Sequence, residues 1–132
     1  MPAAILRVGG TKRGIRAFLG RTKMRPHRVY ARGEPTSPGS TVLAKDSYFL
    51  VVVSNADGDA FPKQARDAAR FLRLHLRELK SLSRFKLFAV IDFGVYDTRT
   101  KNALAPSWRL PAKLVKLLGD AGVDAEISLY SA

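Results

Sequence analysis

The chain has 132 residues, a length that fits one domain and leaves little room for two. Hydrophobic residues make up 46% of it, enough to form a core, which excludes global disorder. The 23 Lys and Arg against 11 Asp and Glu give a net charge of +12, and the cysteine count is 0. The charge favours an anionic partner, and the absence of thiols excludes disulfides, thiolate catalysis and thiolate metal sites.

The sequence predicts a cytoplasmic protein that does not enter a membrane. Its longest strongly apolar stretch, Tyr48 to Val53, is far shorter than the ~20 residues that a membrane-spanning helix needs. Ala3 to Leu6 is too short for the apolar part of a secretory signal. The start of the chain is poor in acidic residues, as in organelle transit peptides, but its glycines interrupt any long amphipathic helix.

The first half of the chain predicts three strands and one helix. A strand over about Ala3 to Val8 leads through a glycine turn into a short helix from Thr11 to Leu19. Pro26 to Arg32 suits an edge strand, because proline at its start removes a ladder donor where it is least needed. The segment at about 33–41, rich in Gly, Pro and Ser, predicts a mobile internal loop. Ser47 to Ser54 contains a β-branched run typical of a central strand.

The second half predicts two helices and two strands. Pro62 suits the first turn of a long helix with a broad apolar arc. A strand follows within Arg84 to Gly94, and a short helix runs from Pro111 to Leu118. The last strand, around Val123 to Tyr130, alternates apolar and polar residues, which predicts one dry and one wet face, as in an antiparallel sheet. The residues predicted on the buried arc of the long helix are Ala65, Ala68, Ala69, Phe71, Leu72, Leu76, Leu79 and Leu82.

Together these elements predict one α+β domain over residues 1–132. The connections are mostly too short to form independent units. We expect a two-layer sandwich in which three helices cover a mainly antiparallel sheet of about 4–6 strands.

Two sets of landmarks, one at each end of the chain, carry a family resemblance. The N-terminal set is Ile5-Leu6-Arg7-Val8 with Gly9 or Gly10, Phe18-Leu19-Gly20, Pro26-His27 and Arg32-Gly33-Glu34. The C-terminal set is Leu114, Leu117-Leu118-Gly119, Gly122 and Ile127-Ser128-Leu129-Tyr130. With these landmarks the chain resembles a small bacterial family catalogued as domain of unknown function four-two-seven-nine. The middle, Phe61 to Phe85, departs from it through its many arginines, and the resemblance implies fold and size but no activity.

The turn from Gly9 to Gly14 follows a strand and opens a helix, where free backbone N–H groups favour an anion. Its outer glycines have the spacing of a phosphate-binding P-loop. However, Ile15 and Arg16 stand where Lys and Ser/Thr should contact phosphate and magnesium. A plain tight turn is the favoured interpretation.

Two features invite a metal site, and both fall short of one. The acidic turn with Asn55, Asp57 and Asp59 lacks the glycine and glutamate positions of an EF-hand calcium loop. Asp59 is instead available to the N-terminus of the following helix. His27 and His75 are too few for a histidine zinc site. We therefore predict no metal and no cofactor.

An enzyme is a minority hypothesis for this sequence. Asp92 interrupts an apolar strand, which is the position of some catalytic carboxylates, but a paired or edge-facing aspartate is the favoured interpretation. His75 lies on the apolar arc of its helix, as expected for a buried or half-buried core histidine. No nucleophile sits in a sequence context that supplies its base.

The most ordered polar pattern is on the long helix, where six cations recur at steps of four and three residues opposite the apolar arc. A solvated surface is the usual explanation of such a pattern. Against it, like charges at i, i+4 cost about 0.2–0.5 kcal/mol per pair, and a solvated face normally intersperses glutamates. We call these residues the basic face: Arg66, Arg70, Arg73, Arg77, Lys80 and Arg84. Lys12 and Arg13 in the glycine turn join them as candidate anion-binding residues.

The leading prediction is a non-enzymatic protein whose basic face binds an acidic macromolecule, nucleic acid first. The alternative is a protein-interaction module, for instance an immunity-type partner of a toxin or a module that binds an acidic protein. Charge counts against the immunity role, because an inhibitor of a basic nuclease would be expected to be acidic. A third hypothesis is a small enzyme that uses Asp92 or the Gly9 to Gly14 turn.

Overall fold

The computed structural model describes residues 3–98 and 106–131, which form five strands and four α-helices. The strands are β1 (Ala4–Gly10), β2 (Arg28–Tyr30), β3 (Ser47–Ser54), β4 (Phe88–Asp97) and β5 (Asp124–Ser131). The helices are α1 (Lys12–Leu19), α2 (Phe61–Leu74), α3 (Leu76–Lys80) and α4 (Ala112–Ala121), with a 3₁₀ helix over Leu82–Phe85. The predicted α+β class is confirmed. Among the described residues, no helix is both long and apolar enough to span a bilayer.

The five strands form one sheet in the order β2-β3-β1-β4-β5. Neighbours from β2 to β4 are antiparallel, as predicted, whereas β4 and β5 are parallel and are joined through α4. The prediction that the last strand has one dry face was wrong. Apart from the half-buried Ser128, every residue of β5 is exposed, because β5 is an edge strand that α4 leaves largely uncovered.

The helices cover one face of the sheet, and the alternation of side chains along each strand explains why. Leu6, Phe49 and Ile91 belong to three adjacent strands, and all three are buried in the core under the helices. The opposite face, which we call the open face, carries residues such as Arg7, Tyr48 and Phe88, which are half-buried or exposed.

The predicted long helix is interrupted, so three expected helices become four. α2 ends at Leu74, and α3 begins at Leu76, with His75 between them at φ −109° and ψ 18°. The His75 ring packs against Phe71, and its Nδ1 lies 3.5 Å from Oε1 of Glu78. Periodicity did not reveal this break, because the apolar arc continues across it with Leu79 buried below.

Residues 33–44 fold back on themselves as a short hairpin. The N–H of Gly33 donates to the carbonyl of Ala44, that of Ala44 to Glu34, and that of Thr36 to Val42, at 2.8–2.9 Å. We call this segment the hairpin. Its second arm and the residues just after it border the open face beside Tyr48 and Phe88.

The core assignment predicts opposite outcomes for two leucines of α2. Leu72 is 0% exposed, whereas Leu74, two residues later, is 76% exposed. We expect Leu72→Ala to lower the free energy of unfolding by about 2–5 kcal/mol, because it leaves a cavity. Leu74→Ala should change it by less than ~0.5 kcal/mol. Denaturant titrations of both variants check this, and equal effects would contradict the orientation of α2.

Candidate nucleic-acid interface

Close packing of α1 against the 3₁₀ helix builds the candidate interface. A Cβ added at Gly14 would lie 2.5 Å from the carbonyl oxygen of Phe85, so the two backbones can approach only over a glycine. One turn later, the Phe18 ring meets Phe85 edge-on at 5.7 Å and stacks on Phe49 at 5.9 Å. Gly14, at the end of the glycine turn, therefore serves helix packing.

The carboxylate of Glu78 fixes the other end of this contact. Glu78 on α3 accepts hydrogen bonds from the Thr22 hydroxyl and from the backbone N–H of Lys23, which follow α1. The Thr22 hydroxyl in turn accepts the N–H of Met24. These bonds tie the segment after α1 to α3, so that α1 is held at both of its ends.

The result is a cavity of about 440 Å³ between α1 and the 3₁₀ helix. Three cations line it: Arg13 from α1, Arg84 from the 3₁₀ helix, and Lys86, which follows it. We call this cavity the basic groove. Arg84 also borders a smaller depression of about 130 Å³, together with Arg21, which follows α1.

The two packed segments hold most of the positive charge of the chain. Residues 12–28 contain seven Lys and Arg and no acidic residue, and residues 61–86 contain eight Lys and Arg and two acidic residues. Together they hold 15 of the 23 cations and two of the 11 carboxylates. Folding therefore joins an N-terminal basic region to the basic face, two features that lie far apart in the sequence.

Both carboxylates of this region are engaged in local bonds. Asp67 accepts hydrogen bonds from the Ser54 hydroxyl at 2.6 Å and from the Lys63 ammonium at 2.9 Å, and its side chain is only 17% exposed. Glu78, which joins α3 to the segment after α1, is 24% exposed. The outer surface is thus left mainly to cations.

The structure distributes the predicted anion-binding residues over three elements. All six residues of the basic face are exposed, but the break at His75 divides them. Arg66, Arg70 and Arg73 lie on α2, Arg77 and Lys80 on α3, and Arg84 on the 3₁₀ helix. Arg84 meets Arg13 at the basic groove, whereas Lys12 is exposed at the first position of α1.

The acidic turn before α2 is held together by its own hydrogen bonds. Asp57 Oδ1 accepts from the Tyr96 hydroxyl at 2.9 Å and from the N–H of Gly58 at 2.8 Å. Asp59 precedes α2 but does not cap it, because Ala60 is the N-cap residue and no side chain donates or accepts a capping hydrogen bond there. The side chain of Gln64, fully buried, instead donates to the carbonyls of Ala56 and Gly94 and so anchors the turn to β4.

The remaining sequence candidates have local partners. Asp92 lies half-buried on the open face and accepts a hydrogen bond from the Ser128 hydroxyl at 2.7 Å. His75 is half-buried, as predicted, between Phe71 and Glu78. Within residues 3–98 and 106–131, no three His, Asp or Glu side chains converge closely enough to hold a metal ion.

Comparison of the chain with protein-family models, curated proteins and solved structures gives no match. The resemblance to the domain of unknown function therefore stays a prediction.

Sequence reasoning missed Lys86 and Arg21 as parts of the basic surface. Lys86 breaks the four-and-three spacing, because the helix ends just before it. Its backbone has φ 56° and ψ 40°, the left-handed conformation that normally favours glycine. Lys86 ends the 3₁₀ helix beside the contact of Gly14 with Phe85. Only the three-dimensional structure shows this position.

The hydrogen bonds of Asp67 predict a pH-dependent contribution to stability. The Ser54 hydroxyl, followed by the Lys63 ammonium, holds the pKa of Asp67 below its ordinary value. A carboxylate with a lowered folded-state pKa stabilises the protein above the unfolded pKa of about 3.9, and this contribution is lost as the pH falls through the folded pKa. We expect Asp67→Asn to destabilise the protein at neutral pH and to approach wild type below about pH 4. Urea titrations across this pH range measure the difference, and a constant gap would contradict the assignment.

The left-handed backbone of Lys86 predicts that a glycine at this position stabilises the protein. The left-handed conformation costs a non-glycine residue about 1–2 kcal/mol, partly offset by the greater freedom of glycine in the unfolded chain. We expect Lys86→Gly to raise the free energy of unfolding by up to about 1 kcal/mol. Lys86→Ala, which keeps the strain and removes the charged side chain beyond Cβ, is the matched control. Denaturant titration of both variants decides, and a destabilised Lys86→Gly protein would contradict the strain argument.

Proposed function

We propose that this protein is a non-enzymatic nucleic-acid-binding protein whose basic groove and basic face contact the phosphate backbone. The observation that carries this proposal is the packing of α1 against the 3₁₀ helix. It joins two basic segments into one surface, while both carboxylates of that surface are engaged in local hydrogen bonds.

The chemistry of this surface suits phosphate contacts rather than base recognition. Arginine and lysine neutralise phosphates and release counterions, which gives strong salt dependence and little preference for sequence. Glu78 and Asp67 accept hydrogen bonds from Thr22 and Ser54, and Asp67 also lies 4.0 Å from Arg70, so one arginine of the basic face has a carboxylate beside it. We therefore expect binding of many nucleic-acid sequences with similar affinity.

The decisive experiment reverses charge on the basic face. Arg73 and Arg77 are exposed and lie on α2 and α3, away from the buried arc. We expect Arg73→Glu with Arg77→Glu to weaken binding to a DNA or RNA oligonucleotide at least tenfold, because two phosphate contacts become repulsions. Fluorescence anisotropy measures the affinity, and its log–log salt slope should be less steep in the double variant by about 0.7–0.9 per lost phosphate contact.

A matched control makes the same charge change elsewhere. Arg109 and Lys113 are exposed, and they precede and begin α4, which lies outside both basic segments. Arg109→Glu with Lys113→Glu should bind nearly as well as wild type. If both double variants lose the same affinity, net charge alone explains the binding. If wild type binds no polyanion at low salt, the proposal is wrong.

A protein partner is the second candidate, favoured by the free edge of the sheet. Among the described strands, β5 pairs only with β4. By their register opposite Phe93 and Val95, its residues Ile127 and Leu129 lie on the helix-covered side, and yet both are exposed. An open edge strand with exposed apolar residues is a ready surface for pairing with another chain. Binding of a protein by this edge would be insensitive to the Arg73 and Arg77 variant.

A further inference from the structure

The open face of the sheet carries a row of aromatic residues that the proposed phosphate contacts do not use. Tyr30 and Tyr48 are cross-strand partners, and their rings stack at 4.5 Å. Gly9 of β1 is the next residue along the row, and Phe88 of β4 follows it. The row therefore reads Tyr30, Tyr48, Gly9, Phe88 across four adjacent strands.

Gly9 has no side chain, and the Phe88 ring occupies the space where one would be. A Cβ at Gly9 would lie 2.7 Å from Cζ of Phe88. The ring thus leans across the strand towards Tyr48, and Phe88 is still 52% exposed. An aromatic side chain so exposed on a sheet presents its ring to a ligand at little further cost in ordering.

A cavity of about 390 Å³ lies over this row. Its floor includes Gly9, Tyr48 and Phe88, and its other wall is the second arm of the hairpin with Val42 and Leu43. Both hairpin residues are themselves exposed hydrophobic side chains. Exposed apolar groups gathered around one concave surface indicate a binding site rather than scattered surface residues.

Cations flank the aromatic row. The Arg28 guanidinium lies 4.7 Å from the centre of the Tyr30 ring, and Arg7 lines the cavity beside Tyr48. Burial, and then Tyr30, raise the pKa of the Tyr48 hydroxyl, while the charges of Arg7 and Arg28 oppose this rise. Arg7 also lies 3.7 Å from Glu126, in an exposed ion pair on the open face. Aromatic rings with adjacent guanidinium groups bind planar rings by stacking and cation–π contact.

The aromatic cavity and the basic groove both lie near the last residues of β1 and the first residues of β4. Gly9 lies in the cavity, and Thr11, two residues further along the chain, borders the groove. Likewise Phe88 lies in the cavity and Lys86 in the groove. Each cavity residue is thus two positions along the chain from a groove residue, so one nucleic-acid strand could contact both sites.

We propose that the cavity between Phe88, Tyr48 and the hairpin holds an unpaired base of a single-stranded nucleic acid whose phosphates lie in the basic groove. This inference rests on the proposed function and names its substrate class. Bases inside a duplex are stacked on their neighbours and cannot enter the cavity, whereas bases of a single strand can leave the stack and pack on aromatic rings. Phe88 is thus a residue that selects single strands.

The test compares two substitutions at Phe88 that differ in the aromatic ring. Phe88→Leu keeps apolar volume and removes the ring, and Phe88→Trp keeps a ring that can stack. Three probes are used: a single-stranded oligonucleotide with one 2-aminopurine base, the same sequence as a duplex, and inorganic polyphosphate. The fluorescence of 2-aminopurine falls when the base stacks on a ring, so it reports contact directly.

We expect wild type to quench the single-stranded probe and to bind it more tightly than the duplex. Phe88→Leu should lose the quenching and bind the single strand about 5- to 150-fold more weakly, the range of one lost base–aromatic stack. Phe88→Trp should restore both properties. Neither substitution should change binding of polyphosphate, which has no bases, and unchanged polyphosphate binding also shows that each variant is folded.

The outcomes separate the two proposals. Equal affinity of wild type and Phe88→Leu for the single strand overturns the stacking site and leaves phosphate binding intact. Preference for the duplex overturns it as well. Failure of wild type to bind any of the three probes overturns the proposed function together with this inference.

Discussion

The close approach of α1 to the 3₁₀ helix is the contact on which the proposed interface depends. The Gly14 position has no room for a side chain, because the carbonyl of Phe85 would lie 2.5 Å from its Cβ. The Phe18 ring then fills the space between Phe49 on the sheet and Phe85 on the 3₁₀ helix. A larger residue at position 14 would separate these elements and with them Arg13 from Arg84.

This contact holds together segments that repel each other. Each exposed pair of like charges costs a few tenths of a kcal/mol and is screened by salt beyond about 10 Å. Burial of one aromatic side chain such as Phe18, only 2% exposed, contributes about 1.5–3 kcal/mol. A few apolar contacts therefore outweigh several repulsive pairs, and Glu78 adds hydrogen bonds across the same junction. The apolar core is therefore stable enough to hold these positively charged segments together.

Local patterns predict those parts of the fold that depend on periodicity. The apolar arc of α2 and the buried run of β3 follow from neighbours within about one turn or one strand. The break at His75 does not, because no Pro or Gly stands there and its partner Glu78 is held by Thr22, which lies more than 50 residues earlier. The parallel pairing of β5 also escapes, since alternation along a strand gives no information about the direction of its neighbour.

The same distinction holds for the interface. The spacing of Arg66, Arg70 and Arg73 is readable along one helix, and these residues lie on α2 as expected. The groove cannot be predicted from the sequence. Arg13 and Arg84 come from distant segments and line one groove only when Gly14 packs on Phe85. The aromatic row is hidden for the same reason. Gly9 and Phe88 become neighbours only through the register of β1 with β4, which the sequence does not show.

Two residues near the adjoining ends of β1 and β4, between the basic groove and the aromatic cavity, are not the most stable choices for their backbone positions. Lys86 ends the 3₁₀ helix in a left-handed conformation in which glycine would be unstrained, and its side chain lines the basic groove. Gly9, in the interior of a strand, leaves the pleated surface without a side chain, which weakens a strand in general but gives the Phe88 ring its place. At both positions the residue present is the poorer one for local backbone stability and the better one for the adjoining cavity. Local features that packing alone would remove therefore lie beside both cavities, which supports the proposed binding sites.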